Sequence, residues 1–128
     1  MEHDTLARVL EAIRGAEARG KLEVTVMPAS RLIKQVLELL KKEDYIKSYE
    51  TTGETKPVLK IQLSGTINKI GTIKPRYSIT LSDYERYESR YLPAKDFGRL
   101  IVSTPKGVMT HIDAKAKKLG GVLLAFVY

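Results

Sequence analysis

The chain has no cysteine and no tryptophan, and only two histidines and two phenylalanines among its 128 residues. Without cysteine there is no disulfide staple, no thiol nucleophile and none of the usual structural zinc sites. His3 and His111 alone are too few for a dedicated metal cage, so neither metal nor cofactor is expected. No stretch approaches the roughly 20 apolar residues that a membrane helix requires. Glu2, Asp4 and Glu11 stand where an export signal would place a basic stretch and then an apolar one, so the expected compartment is the cytoplasm.

What the chain does have is 43% hydrophobic residues, enough to fill one compact core or two half-size ones, and a surplus of positive charge. The net charge is +7 and the pI about 9.6. Residues 1–55 hold 9 Lys/Arg against 10 Asp/Glu, whereas residues 56–128 hold 13 against 5. A solubilising surface intersperses both signs, so a one-sided excess points to a polyanionic partner such as a nucleic acid.

Leu6, Val9, Leu10 and Ile13 recur at the spacing of one helical face, with Asp4 or Thr5 as a cap and Gly15 or Gly20 as a stop. Leu22, Val24 and Val26 alternate as a half-buried strand that Pro28 interrupts, and Ser30 opens a second helix along Leu32, Ile33, Val36, Leu37 and Leu40. Tyr45 to Tyr49 reads as a strand, and Thr51 to Thr55 as the turn into a hairpin partner from Val58 to Leu63. Tyr77, Ile79 and Leu81 predict another strand, and residues 83–92 a short helix or irregular turn. Leu100 to Val102 form a strand core, Ser103 to Gly107 a tight loop, and a short basic helix starts at Thr110, stopped by Gly120-Gly121 before an apolar strand. The fold class is therefore α/β (α+β) in two small modules. Residues 1–65 form a helix-strand-helix-strand-strand module, and residues 66–128 a strand-rich one with a short basic helix.

The segment Val102 to His111, followed by Gly120-Gly121 and an apolar strand, resembles the RNA-binding signature of the small-subunit ribosomal protein S-eight family. The likeness extends through Asp4 to Ala7 with Ile13-Arg14, Pro28 to Leu32, and Gly65 to Arg76, so that it covers essentially the whole chain. The stretch from Asn68 to Arg76, with Tyr84 to Pro93, resembles the archaeal and eukaryotic branch.

The resemblance implies a structural, non-catalytic constituent of the small ribosomal subunit. It would bind a helix in the central domain of the ribosomal RNA, touch neighbouring ribosomal proteins and promote assembly. A regulator acting on a mimicking messenger RNA helix would use the same surface. No membrane or small-molecule substrate is implied. Double-stranded RNA hides its base edges in a deep major groove, so it is read by shape through sugar hydroxyls, phosphates and opened bases. Ser103 and Thr104 offer hydroxyls that donate and accept, Pro105 stiffens the loop, and Gly107, Gly120 and Gly121 let RNA approach the backbone. Lys106, Lys115, Lys117 and Lys118 would neutralise phosphates, and Thr110 and His111 complete the main footprint. Arg31, Lys69, Lys74 and Arg76 are secondary contacts. Bacterial relatives commonly have serine where Pro105 stands, so one possible RNA-contacting hydroxyl is missing; glutamate where Val122 stands, a contact not carried over; and asparagine where Gly15 stands.

Plainer readings stand beside these. The Ser-Thr-Pro-Lys loop is also ordinary turn chemistry, and Gly120-Gly121 an ordinary helix stop. Tyr84, Tyr87 and Tyr91 either stack on bases or pack. Ser103-x-x-Lys106 matches one element of the penicillin-recognising enzymes, but Tyr84 breaks the second and the third is missing. Gly65 and Gly71 have no Gly-Lys-Ser/Thr after them and form no phosphate-binding loop.

Overall fold

The computed structural model describes residues 3–27, 30–53, 55, 58–95 and 97–128, with the backbone alone for His3 and Asp4. Pro28, Ala29 and Glu54 of the sequence reading lie outside the described residues. The chain forms two compact units, Met1–Ile70 and Gly71–Tyr128.

The first unit runs α1 (His3–Ala18), β1 (Glu23–Val26), α2 (Arg31–Lys42), β2 (Ile46–Thr52) and β3 (Val58–Leu63), the order that periodicity predicts. Leu6, Val9, Leu10, Ile13 and Ala16 line one face of α1 and are all buried, as are Ile33, Val36, Leu37 and Leu40 on α2. Burying a side chain of leucine size contributes about 1.5–3 kcal/mol, so these two stripes commit both helices to the sheet. That sheet is antiparallel in the order β1-β3-β2, and Leu59, Ile61 and Leu63 of the central strand alternate inward. Two expectations shift. Asp4 and Thr5 lie inside α1, so neither caps it. Leu22 precedes β1 and is 66% exposed, although its carbonyl already accepts from the Leu63 amide (2.8 Å).

α1 and α2 end by one device. The amide of Lys21 donates to the Ala16 carbonyl (2.9 Å) and that of Gly20 to Glu17 (3.1 Å), with Gly20 left-handed at φ 70°. On α2 the same bonds run from Tyr45 to Leu40 (2.8 Å) and from Asp44 to Lys41 (3.1 Å), with Asp44 at φ 65°.

The second unit's sheet is completed by β4 (Ile70–Thr72), β5 (Ser78–Ile79), β6 (Arg99–Thr104), β7 (Gly107–Thr110) and β8 (Gly121–Val127). The order is β4-β8-β6-β7, with β5 also on β8. Since β6 takes one edge of β8, β4 and β5 share the other. The helices are α3 (Tyr84–Tyr91) and α4 (His111–Ala116). Tyr84, Tyr87 and Leu92 bury against Leu100, Val102, Met109 and Leu123, so the tyrosines at helical spacing are core. The strand expected through Leu81 stops at Ile79. The amide and hydroxyl of Thr80 both donate to the Asp83 carboxylate (2.9 and 3.0 Å), turning the chain through a 3-10 turn into α3 and leaving Leu81 exposed. The Thr80 amide and then its hydroxyl hold the Asp83 carboxyl below its ordinary range. No helix among the described residues is long and apolar enough to cross a membrane.

Candidate nucleic-acid interface

In the β6–β7 hairpin Thr104 pairs with Gly107 and Ser103 with Val108, so only Pro105 and Lys106 make the turn. The usual two-residue hairpin turn needs positive φ at its central residues, which proline cannot adopt. The left-handed step falls instead on Gly107, at φ 123°. Thr104 locks this arrangement: its hydroxyl donates to the Gly107 carbonyl (2.8 Å) and accepts from the Lys106 amide (3.1 Å). It is 8% exposed.

Successive residues of a strand face opposite ways, so Ser103 and Thr104 cannot offer their hydroxyls to one ligand together. Ser103 is half-buried, and among the described residues nothing hydrogen-bonds its hydroxyl. The two hydroxyls therefore divide their roles. Thr104 shapes the turn, Ser103 is available at the surface, and Pro105 and Lys106 are exposed at the tip.

Gly120 and Gly121 meet their own chain. A Cβ on Gly121 would lie 2.3 Å from the Ser103 carbonyl oxygen, and one on Gly120 2.5 Å from that of Ile79. Their side-chain space is thus already filled by β6 and β5 backbone. Nor do they stop α4. The stop is Lys118, left-handed at φ 58°, with the Leu119 amide on the Ala114 carbonyl (2.8 Å) and the Lys118 amide on Lys115 (3.1 Å). What the glycine pair does is bring β8 against Ser103 immediately after Lys117 and Lys118. Among the described residues Lys106, Lys117 and Lys118 are exposed and have no ion pair.

Three expected contacts turn inward. Thr110 is 2% exposed, and its hydroxyl caps α4 by accepting from the Asp113 amide (3.2 Å). His111 is 1% exposed. Its Nδ1 accepts from the Leu100 amide (3.0 Å), which assigns the proton to Nε2, 3.4 Å from Glu88 Oε1. The imidazole therefore ties β6, α4 and α3 together and presents no open nitrogen for a surface contact or for base catalysis. Lys115 donates from Nζ to Glu88 Oε2 at 2.7 Å, so its charge is matched within the unit.

Glu88, which sequence reasoning did not single out, is the hub of this arrangement, and Tyr84 supports it by donating its hydroxyl to the Leu119 carbonyl (2.8 Å). Burial pushes the Tyr84 phenol up. Their partners lie 27 and 35 residues away, beyond any local pattern.

Lys74 and Arg76 are exposed between β4 and β5, away from the β6–β7 turn in strand order. Lys69 and Arg31 are exposed residues of the first unit, Arg31 opening α2 next to its Ser30 cap. Among the described residues no cluster of three metal-ligating His, Asp or Glu side chains occurs.

The sequence family described as ribosomal protein S8 matches residues 4–128. Three archaeal proteins, each named small ribosomal subunit protein uS8, are similar. Those of Picrophilus torridus and Archaeoglobus fulgidus are 48% and 49% identical over 129 aligned positions, covering all of both chains. That of Methanococcoides burtonii is 47% identical over 126, covering 98% of this chain and 97% of its own. With a match over nearly its full length and about half its residues identical to these relatives, the chain belongs to the ribosomal protein S8 family, a family of ribosomal proteins and not of enzymes.

Proposed function

We propose that this protein is a structural constituent of the small ribosomal subunit that binds a central-domain helix of the ribosomal RNA and promotes assembly around it. The observation that carries the reading is one juxtaposition. The backbone of Ser103, whose half-buried hydroxyl has no partner among the described residues, lies against the Cβ-less start of β8, which follows the exposed, unpaired Lys117 and Lys118, with Lys106 at the tip of the adjoining turn. A hydroxyl suits the sugar edge of a shallow minor groove, and lysines suit the flanking phosphates. Thr104, Pro105 and Gly107 shape the turn, while Thr110, His111 and Lys115 hold α4 beneath it. Lys74, Arg76, Lys69 and Arg31 would add phosphate contacts, and neighbouring ribosomal proteins would complete its surroundings in the ribosome.

Assembly follows without turnover. A protein that binds only the correctly folded helix shifts the RNA toward that fold by its differential affinity. The test is equilibrium binding to the central-domain helix across a salt series, with an equally long perfect duplex as competitor. Helix-selective binding is expected. Ser103→Ala should weaken it about fivefold at constant salt slope, and Lys106→Ala should lower the slope by about 1. Equal binding of helix and duplex by the unaltered protein would reduce this surface to a generic polyanion site.

A further inference from the structure

Away from the β6–β7 turn, the second unit carries an arginine-tyrosine ladder that the proposed helix contact does not use. Arg86 and Arg90 lie four residues apart on α3, about 6 Å along its axis, and both are exposed. The Arg86 guanidinium lies 5.0 Å from the centre of the Tyr87 ring, and that of Arg90 is 5.7 Å from both Tyr77 and Tyr91. The rings are themselves joined, Tyr77 to Tyr87 at 5.2 Å and Tyr91 to Phe126 at 5.6 Å.

Arg86 is further fixed by Asp83 (3.4 Å), the carboxylate that Thr80 holds in place. Its side chain nevertheless remains 68% exposed. Each guanidinium thus lies close to phenol rings while its side chain stays exposed to solvent. Tyr77 precedes β5, which pairs with β8 on the edge opposite β6, so the Tyr77 end of the ladder lies across β8 from the hairpin in strand order.

We propose that this ladder is a second RNA contact, taking unpaired nucleotides whose bases stack on the two guanidinium planes. The inference rests on the RNA-binding reading of the unit and extends it to a different surface and a different RNA form. An arginine plane is about the size of a base, stacks without regard to base identity, and offers its edges to the phosphates on either side. An acidic protein segment would pair with the N–H edges of the guanidiniums and leave their faces unused, whereas a base covers a face. The tyrosines beside the two guanidiniums add aromatic surface to the cations, which favours the nucleotide.

The probe is a twelve-nucleotide oligoadenylate, added to the full protein alone and then with the central-domain helix at saturation. Because the chain has seven tyrosines and no tryptophan, base stacking can be read directly as quenching of tyrosine fluorescence. Binding should persist when the helix is saturating, and the double variant R86K/R90K, which keeps both charges and removes both planes, should lose about tenfold in oligonucleotide affinity with helix binding unchanged.

Helix binding without oligonucleotide binding would overturn this inference and leave the proposed function intact. Failure of the protein to bind either RNA would overturn both. Displacement of the oligonucleotide by the helix would show a single site and sink the second contact. Undiminished affinity in R86K/R90K would mean charge without stacking, the behaviour of a docking face for acidic segments, and would equally overturn it.

Discussion

α1 and α4 stop by the same backbone device and fill it with opposite residues. At the end of α1 the left-handed position is Gly20, with nothing within 4 Å of where a Cβ would be. At the end of α4 it is Lys118, and the glycines come two and three residues later, where neither has a positive φ. Glycine thus meets two unrelated demands, conformational freedom at Gly20 and space at Gly120 and Gly121. A lysine held left-handed costs about 1 kcal/mol relative to glycine. That strain falls among the exposed, unpaired lysines, as expected of a position kept for its side chain and not for its backbone.

The widest gap between the two kinds of glycine should appear on adding one methyl to each. Gly121→Ala should cost about 3 kcal/mol in urea unfolding because the Ser103 carbonyl cannot move without breaking the β6–β8 pairing. Gly20→Ala should cost about 1 kcal/mol, from backbone strain alone. Equal losses would end the distinction drawn here.

Next in size is Thr104→Val, which removes both hydrogen bonds of the turn and should cost about 1–2 kcal/mol by thermal unfolding. Ser103→Ala, one residue earlier, should cost less than 0.5 kcal/mol by the same measurement. Below Thr104→Val in size, and opposite in sign, Lys118→Gly should stabilise the fold by about 0.5 kcal/mol while weakening RNA binding severalfold. A gain in stability with RNA affinity intact would remove the case for a retained side chain.

The smallest effect lies near the end of α1, at Glu17. Burial raises its carboxyl above the ordinary range, against the lowering from the Ile67 amide, and its Oε2 is buried without a partner. Both states are protonated at low pH. As pH rises above the ordinary glutamate value of about 4.3, the unfolded chain ionises first, so folding stability falls through that window. Glu17→Gln should therefore stabilise at neutral pH, with the gain shrinking to nothing as unfolding is followed down to about pH 3.

The elements that rest on periodicity were legible in the sequence. The stripes of α1 and α2 and the alternation in β3 are local patterns, and burial of one face is what each was selected to do. The pattern misled where a local hydrogen bond outbid it. Tyr77, Ile79 and Leu81 alternate as a strand should, but the Thr80–Asp83 capping pair ends β5 before Leu81. The loop read from Ser103 to Gly107 shrinks to Pro105 and Lys106, and Gly107 to Thr110 forms β7, because a two-residue turn leaves those residues directly opposite β6.

The candidate site was legible by residue type and not by role. Thr104, Thr110 and His111 have the chemistry of a surface contact, yet each spends it inside the unit. Nothing local could have shown that the Leu100 amide and Glu88 would claim the imidazole. Gly120 and Gly121 were read as positions where RNA comes close to the backbone, and what fills their Cβ space is the protein's own backbone.

The place of β8 has a consequence for synthesis. It is the strand on which β4, β5 and β6 all depend, and it is made after every one of them. A growing chain can close the first unit early, while the second has only the β6–β7 hairpin and must wait with its core open. The same strand contributes Gly121, which completes the surface around Ser103. A chain arrested before β8 therefore lacks both the sheet and the surface proposed to meet RNA, so that on this reading unfinished copies would not compete with finished ones.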